Sequence, residues 1–232
     1  MKFDFVEIGS SCFKTLSEVF RDDDTITGLS IEPVPHLYNA IKEFCKDSKN
    51  KHFLKCAVVE NKTTDFVDFY HTVDKNMSSI SEAGIGSVSR KMIKRGIQKA
   101  KFSVNSKIKT ISVPAMTFLE VVDKYKINEI GLLKIDAEGL DYDIVKSVLK
   151  SDVKVQTILF EAEPFMTKDQ KLEIVSLLEE KNFIVTKNSR DFYCQKEDSE
   201  WTFKRYKEVS ERYIQKNKWL EKIDHSDGNS ER

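Results

Sequence analysis

The chain has no C-x-x-C pair, and its cysteines, Cys12, Cys45, Cys56 and Cys194, stand at no metal-ligand spacing. A zinc knuckle and a dithiol redox motif are therefore excluded, and reduced thiols in a cytoplasmic protein are the expectation. No apolar run approaches the ~20 residues that a bilayer-spanning helix needs, so no helical membrane span is expected. The N-terminus alternates charge with Phe and Val where a secretory leader would carry an apolar core. Excess charge of either sign is missing too: 38 Lys and Arg face 38 Asp and Glu, so no whole-molecule field points to nucleic acid or membrane. Internal repeats are absent. Glycine is sparse, with 8 residues in all, and no G-x-G-x-x-G occurs. A dinucleotide fingerprint, which lays a pyrophosphate against bare backbone, is thereby ruled out.

What is present is an ordinary globular composition, 40% hydrophobic and 33% charged over 232 residues. That length suits one medium domain with appendages. Strand-like and helix-like segments alternate along most of it. Strands are expected at Phe3 to Ile8, Ile26 to Ile31, His52 to Val59 and, as an edge, Phe66 to Tyr70. "EIGLLKID" and "VQTILFEAEP" are continuous apolar runs, the kind buried on both faces of a parallel sheet. "NFIVTKNSRDFYCQK" reads as a closing strand pair. Helices are expected at Cys12 to Phe20, His36 to Cys45, Thr117 to Tyr125, Leu140 to Leu149 and Lys168 to Lys181. Such alternation implies an α/β fold, doubly wound, with helices on both faces of a mostly parallel sheet. Ligands then bind at the strand C-terminal ends, near the point where strand order reverses.

One domain is expected over residues 1–196. Within it, 71–107 reads as an irregular insertion whose second half is basic, with no acid between Glu82 and Glu120. Residues 197–232 read as an amphipathic helix, Trp201 to Lys222, and a disordered tail.

The opening "FVEIGSSCF" is a strand that ends in an acid, a glycine and two serines. Glu7 is a candidate for an ammonium group, and Gly9 for close backbone approach. Ser10 and Ser11 are candidates for capping the next helix or bonding a ligand. A capped strand end explains the same residues. "GLSIEPVP" adds Glu32 at the end of the second strand, where one carboxylate accepts both hydroxyls of a ribose. Pro33 offers a flat apolar surface to an adenine. An adenosine cofactor with a positive amino-acid end and no phosphate, such as S-adenosylmethionine, fits this pattern best.

The stretches "FVEIGSS", "GLSIEPVPHLYNAIKE", "KCAVVENKTTDFVDFY", "ISVPAMTFLEVVDKY" and above all "IGLLKIDAEGLDYDIVKSV" resemble the FkbM-type S-adenosylmethionine-dependent methyltransferases. The resemblance spans residues 3–187. It implies a seven-stranded class I methyltransferase sheet, Rossmann-like, with the last strand antiparallel. It matches Glu7 and Gly9 to the cofactor turn, Glu32 to the ribose acid, and Ala57 and Val58 to small and apolar positions near the adenine. Phe13 stands where many members keep a second glycine.

Asp136 ends the central strand and should face the same cleft as Glu7. Glu138 sits where a helix is expected to begin, so it serves either the helix dipole or the site. Asp141 and Asp143 read as the rest of an acidic first turn. Glu161 ends the next strand. Asp136, Glu138 and Glu161 are the candidate catalytic carboxylates, placed to raise one pKa and make a general base. Strand-end acids also leave room for a divalent metal, although none is predicted. His36 and His71 are weaker candidates for the base. The expected reaction is methyl transfer, in the first place to a hydroxyl of a sugar, glycan or other small acceptor. The eight Lys and Arg residues from Arg90 to Lys109 would suit an anionic acceptor or a solvated helix face. Phe102 is the only aromatic among them, which argues against single-stranded RNA. The alternatives are a methyltransferase-like binding protein without catalysis, an RNA methyltransferase and an NAD-dependent oxidoreductase. Oligomeric state is left open.

Overall fold

A computed structural model describes residues 1–10, 15–73, 86–94, 107–163, 165–201 and 208. Its main sheet has seven strands: β1 (Lys2–Ile8), β2 (Gly28–Ile31), β3 (Lys51–Leu54), β8 (Glu129–Ile135), β9 (Lys154–Glu161), β10 (Ile184–Asn188) and β11 (Asp191–Gln195). Their spatial order is β10-β11-β9-β8-β1-β2-β3. All neighbours from β3 to β9 pair in parallel, and β11 runs antiparallel to both β9 and β10. The last strand is thus the one reversed, as in the class I methyltransferase sheet.

From β1 the chain winds outward through β2 to β3, then crosses back to β8 on the other side of β1. Strand order therefore reverses between β1 and β8. Their register, Glu7 against Lys134 and Ile8 against Ile135, brings Gly9 and Asp136 together just beyond the strand ends. That is the crevice where an open α/β sheet binds its ligand.

The continuous apolar runs do what their composition requires. Ile130, Leu132, Leu133 and Ile158 have no exposed surface, and such full burial stabilises by about 1.5–3 kcal/mol per side chain. One face of the sheet is covered by α3 (Phe118–Tyr125), α4 (Asp141–Lys150) and α5 (Lys168–Glu180), whose Val121, Ile144, Val145, Val148, Ile174 and Leu178 join the largest core cluster. Thr117 with Glu120 and Thr167 with Gln170 form capping boxes that fix where α3 and α5 begin. The helix expected from Cys12 is short: α1 spans Leu16–Val19 and is itself opened by a Thr15–Glu18 capping box.

A second sheet departs from the sequence expectation. β4 (Ala57–Val59), β5 (Phe66–Val73), β6 (Gly86–Ser87) and β7 (Lys107–Thr117) form it in the order β4-β7-β5-β6. The expected edge strand at Phe66 is its β5, which runs on to Val73, and β7 was not expected at all. Residues 71–73, 86–87 and 107 are therefore strand, not irregular insertion, and 90–94 are helical. The rest of 71–107 lies outside the described residues. α2 (Pro35–Phe44) packs on this sheet through Leu37 and Ile41, against Ala57, Val59, Phe69, Val113 and Ala115.

The opposite face of the main sheet holds Phe5, Leu16, Leu132, Leu159, Tyr193 and Trp201. Trp201, where the C-terminal helix was expected to begin, is buried here. Its carbonyl accepts from the Tyr193 hydroxyl at 2.7 Å and from Thr157 Oγ1 at 2.9 Å. Beyond it only Glu208 of the expected C-terminal helix is described. Among the described residues no helix is long and apolar enough to cross a membrane.

Candidate functional site

The opening turn is built from three strand ends. The Gly9 and Ser10 amides donate to the carbonyl of Ile31 at the end of β2, at 2.9 and 3.2 Å. The Asp136 amide donates to Ile8 at 2.9 Å. Gly9 has φ +78°, and a Cβ there would stand 2.0 Å from the Asp136 carbonyl oxygen, so both conformation and space demand glycine. Ser10 is buried, its hydroxyl 3.4 Å from the same Ile31 carbonyl. Ser11 and Phe13 lie outside the described residues.

Glu7 is held by the protein itself. It has no exposed surface. One carboxylate oxygen takes the Lys134 ammonium at 2.7 Å, and the other accepts the Leu16 amide at 3.0 Å, at the start of α1. Both oxygens thus serve the protein. Burial pushes its carboxyl up, against the pull of Lys134. Glu32 is buried at the end of β2 and receives the Val34 amide at 2.9 Å. Pro33 is buried beside it. Ala57 and Val58 are buried on β4, against Ala115 and Met116 of β7 in register.

The three catalytic candidates do come together. Carboxylate oxygens of Asp136, Glu138 and Glu161 all lie within 4.8 Å of one another. Glu138 is not the start of a helix, as expected, but sits in the left-handed region at φ +47°, ahead of α4. Such a conformation is uncommon for a residue with a side chain and concentrates at functional sites. Burial and the negative charges of Asp136 and Glu161 raise its carboxyl to about 9. Glu161 is raised to about 7 by burial and by Asp136, and Arg190 opposes this with a 2.8 Å ion pair. The spacing would also let the three oxygens hold a cation, with Arg190 already supplying positive charge on one side.

Four residues of this region escaped the sequence reading. Asp141 was expected to be an ordinary first-turn acid, yet it is buried, and it receives the amides of Ala137 and Gly139 at 3.5 and 3.3 Å. Its carboxyl is raised by burial and by Asp136. Lys134 is the counter-ion of Glu7. Arg190 and Asp191 arrive from the β10–β11 hairpin, and the Arg190 carbonyl receives the amides of Ala162 and Glu163, which fixes the end of β9. Lys134 alone left a signal, a cation inside an apolar strand. Glu163 turns away to Lys171 at 2.6 Å. His36 and His71 meet each other at the second sheet, 6.1 Å between ring centroids, and are not part of the carboxylate cluster.

The model of the FkbM methyltransferase domain matches residues 7–185. The chain belongs to the FkbM methyltransferase family. As a family member it is a methyltransferase that uses S-adenosylmethionine. No curated protein matches it in sequence. Solved structures similar to it include fibrillarin of Aeropyrum pernix with natively bound S-adenosyl-L-methionine, at 9% identity and TM-score 0.40, over 83% of this chain and 67% of that one. Another is precorrin-6y C5,15-methyltransferase of Geobacter metallireducens, at 11% identity and TM-score 0.37, over 84% and 79%. A third is the N-terminal domain of human METTL16 in complex with SAH, at 10% identity and TM-score 0.36, over 85% and 63%. At these identities the likeness concerns the fold alone.

The residues of the candidate site fit a cofactor that is cationic and carries a ribose. Carboxylates end β2 and β8 on either side of a glycine turn, and no arginine or lysine cradle for a pyrophosphate stands at that turn among the described residues.

Proposed function

We propose that the protein moves the methyl group of S-adenosylmethionine to a hydroxyl of a small acceptor, a sugar or glycan, at the cleft between β1 and β8. The single observation that carries this is the meeting of Asp136, Glu138 and Glu161 beside the Gly9 turn. When bound, the cofactor supplies a methyl group already activated on a sulfonium. The protein then has to hold, align and dehydrate the reactants, and to take a proton from the attacking hydroxyl. Glu32 receives the ribose hydroxyls, with Pro33 and the β4 residues Ala57 and Val58 behind the adenine. Ser10 lines the methionine end. Asp136 faces the cofactor. Glu161 accepts the acceptor's proton, because a carboxyl raised to about 7 is half ionised near neutral pH and basic enough to be effective. Glu138, raised to about 9, stays protonated at neutral pH and donates a hydrogen bond to the acceptor.

An anionic acceptor is supported by the helical turn at 90–94. A Cβ on Gly139 would stand 3.0 Å from Met92 Cγ, so this turn lies directly on the Glu138–Gly139 corner. Ile93 anchors it in the core, while Arg90, Lys91 and Lys94 remain exposed at its rim.

Calorimetric titration with S-adenosylhomocysteine tests the reading. Wild type should bind with 1:1 stoichiometry, and Glu32→Ala should bind about 10- to 100-fold more weakly, the loss of hydrogen bonds to a charged acceptor. No binding by wild type, or equal binding by both, would sink it.

A further inference from the structure

The two acids that flank the Gly9 turn are not equivalent, and their difference assigns them separate tasks. We propose that Glu7 is a positioning residue, kept inside the protein by Lys134, and that Asp136 is the carboxylate that receives the amino group of the cofactor's methionine end. This rests on the cofactor reading above.

Glu7 and Lys134 are direct register partners on adjacent parallel strands. Their side chains meet at 2.7 Å, with Glu7 wholly buried and the Lys134 side chain 19% exposed. The second Glu7 oxygen holds the Leu16 amide, which ties the end of β1 to the start of α1 across the turn. An external ammonium would have to displace Lys134 or that amide, and removing one partner of a buried ion pair leaves an uncompensated charge. Glu7 therefore shapes the turn and offers the ligand little.

Asp136 is placed the other way. It is half-buried, two residues beyond Lys134 and just past the end of β8, and its backbone abuts Gly9. Among the described residues its carboxylate has no hydrogen-bond or ion-pair partner. Its negative charge is felt at Glu7, Glu138, Asp141, Glu161 and Asp191 alike. Among the described residues the cations of this neighbourhood are already engaged, Lys134 with Glu7 and Arg190 with Glu161. Among the described residues no positive group meets the Asp136 carboxylate, and the amino-acid end of the cofactor brings an ammonium. Lys134 thus acts indirectly. By holding Glu7 it leaves Asp136 as the carboxylate presented at the turn.

S-adenosylhomocysteine and its analogue without the amino group separate these roles, because both lack the sulfonium and differ only in the ammonium. Calorimetry on the full chain should show wild type preferring the amino compound by about 10- to 100-fold, the range for a hydrogen bond between charged groups. Asp136→Asn should bind both compounds equally, at the affinity wild type has for the analogue. Glu7→Gln should keep the preference, even where both affinities fall together. Lys134→Met should unfold at lower temperature, and the paired change Glu7→Leu with Lys134→Met should recover folding and keep the preference, as buried ion pairs replaced by apolar residues do. The opposite pattern, preference lost in Glu7→Gln and kept in Asp136→Asn, would overturn the proposal while leaving the cofactor reading intact. Failure of wild type to bind either compound would overturn both.

Discussion

The upper edge of the sheet, at the ends of β1 and β8, and its underside, around Trp201, both bury polar groups, but by opposite rules. On the underside Thr157, Ser199, Tyr193 and Trp201 pair with neutral groups. Thr157 bonds Ser199 at 2.7 Å, and the Trp201 carbonyl takes both Thr157 and Tyr193. At the upper edge, Asp136, Glu138, Asp141, Glu161 and Asp191 crowd together, and every carboxyl raised there owes part of the rise to Asp136. Like charges in a half-buried cleft are costly, and a fold keeps them where a ligand or a proton transfer makes use of them. The underside belongs to the packed core, and the upper edge is the candidate site.

Substitutions should divide along that line. The largest effect belongs to Glu161→Gln, which should lower methyl transfer about 10²–10⁴-fold, the worth of a general base, and remove the rise of activity through pH ~7 that wild type should show. Its thermal midpoint should not fall, since a neutral amide relieves the crowding. Next, Trp201→Ala should cost about 3–5 kcal/mol of stability, as large-to-small changes in a core do, measured by denaturant unfolding. Its ratio of affinities for the two S-adenosylhomocysteine compounds should not change.

A smaller effect is the pH dependence of stability without ligand. The folded Glu161 and Glu138 hold their protons to about 7 and about 9, whereas the unfolded chain releases them near the ordinary 4.5. The folded state therefore binds more protons between those limits, and the contribution is fully present below about pH 4.5 and lost as pH rises through the folded values. Thermal midpoints should fall from pH ~5 to ~9. Glu138→Gln should flatten the slope, whereas Thr157→Val on the underside should shift the curve down without changing its slope.

Much of the main sheet was legible in "EIGLLKID" and "VQTILFEAEP", because a strand buried on both faces must be apolar throughout. β7 was not legible. "KIKTISVPAMT" mixes polar residues and a proline, since it belongs to a small sheet with one wet face, and Pro114 sits opposite Phe66 where β5 begins. The candidate catalytic acids were legible for a related reason: an acid that ends a buried strand needs a purpose. Arg190 and Asp191 were hidden because they reach the site only through the antiparallel insertion of β11 beside β9.

By itself the sequence determined the class of the protein: alternating elements, apolar strands that end in acids, one glycine at the first turn and the "KIDAEG" block. These follow from local periodicity and from residue types that strand ends impose. Only the tertiary structure decided which acid is already paired inside the protein. Glu7 and Lys134 lie 127 residues apart in the chain and become partners when β8 docks beside β1. A carboxylate's role depends on the charges that surround it in space, and those are brought together by the sheet.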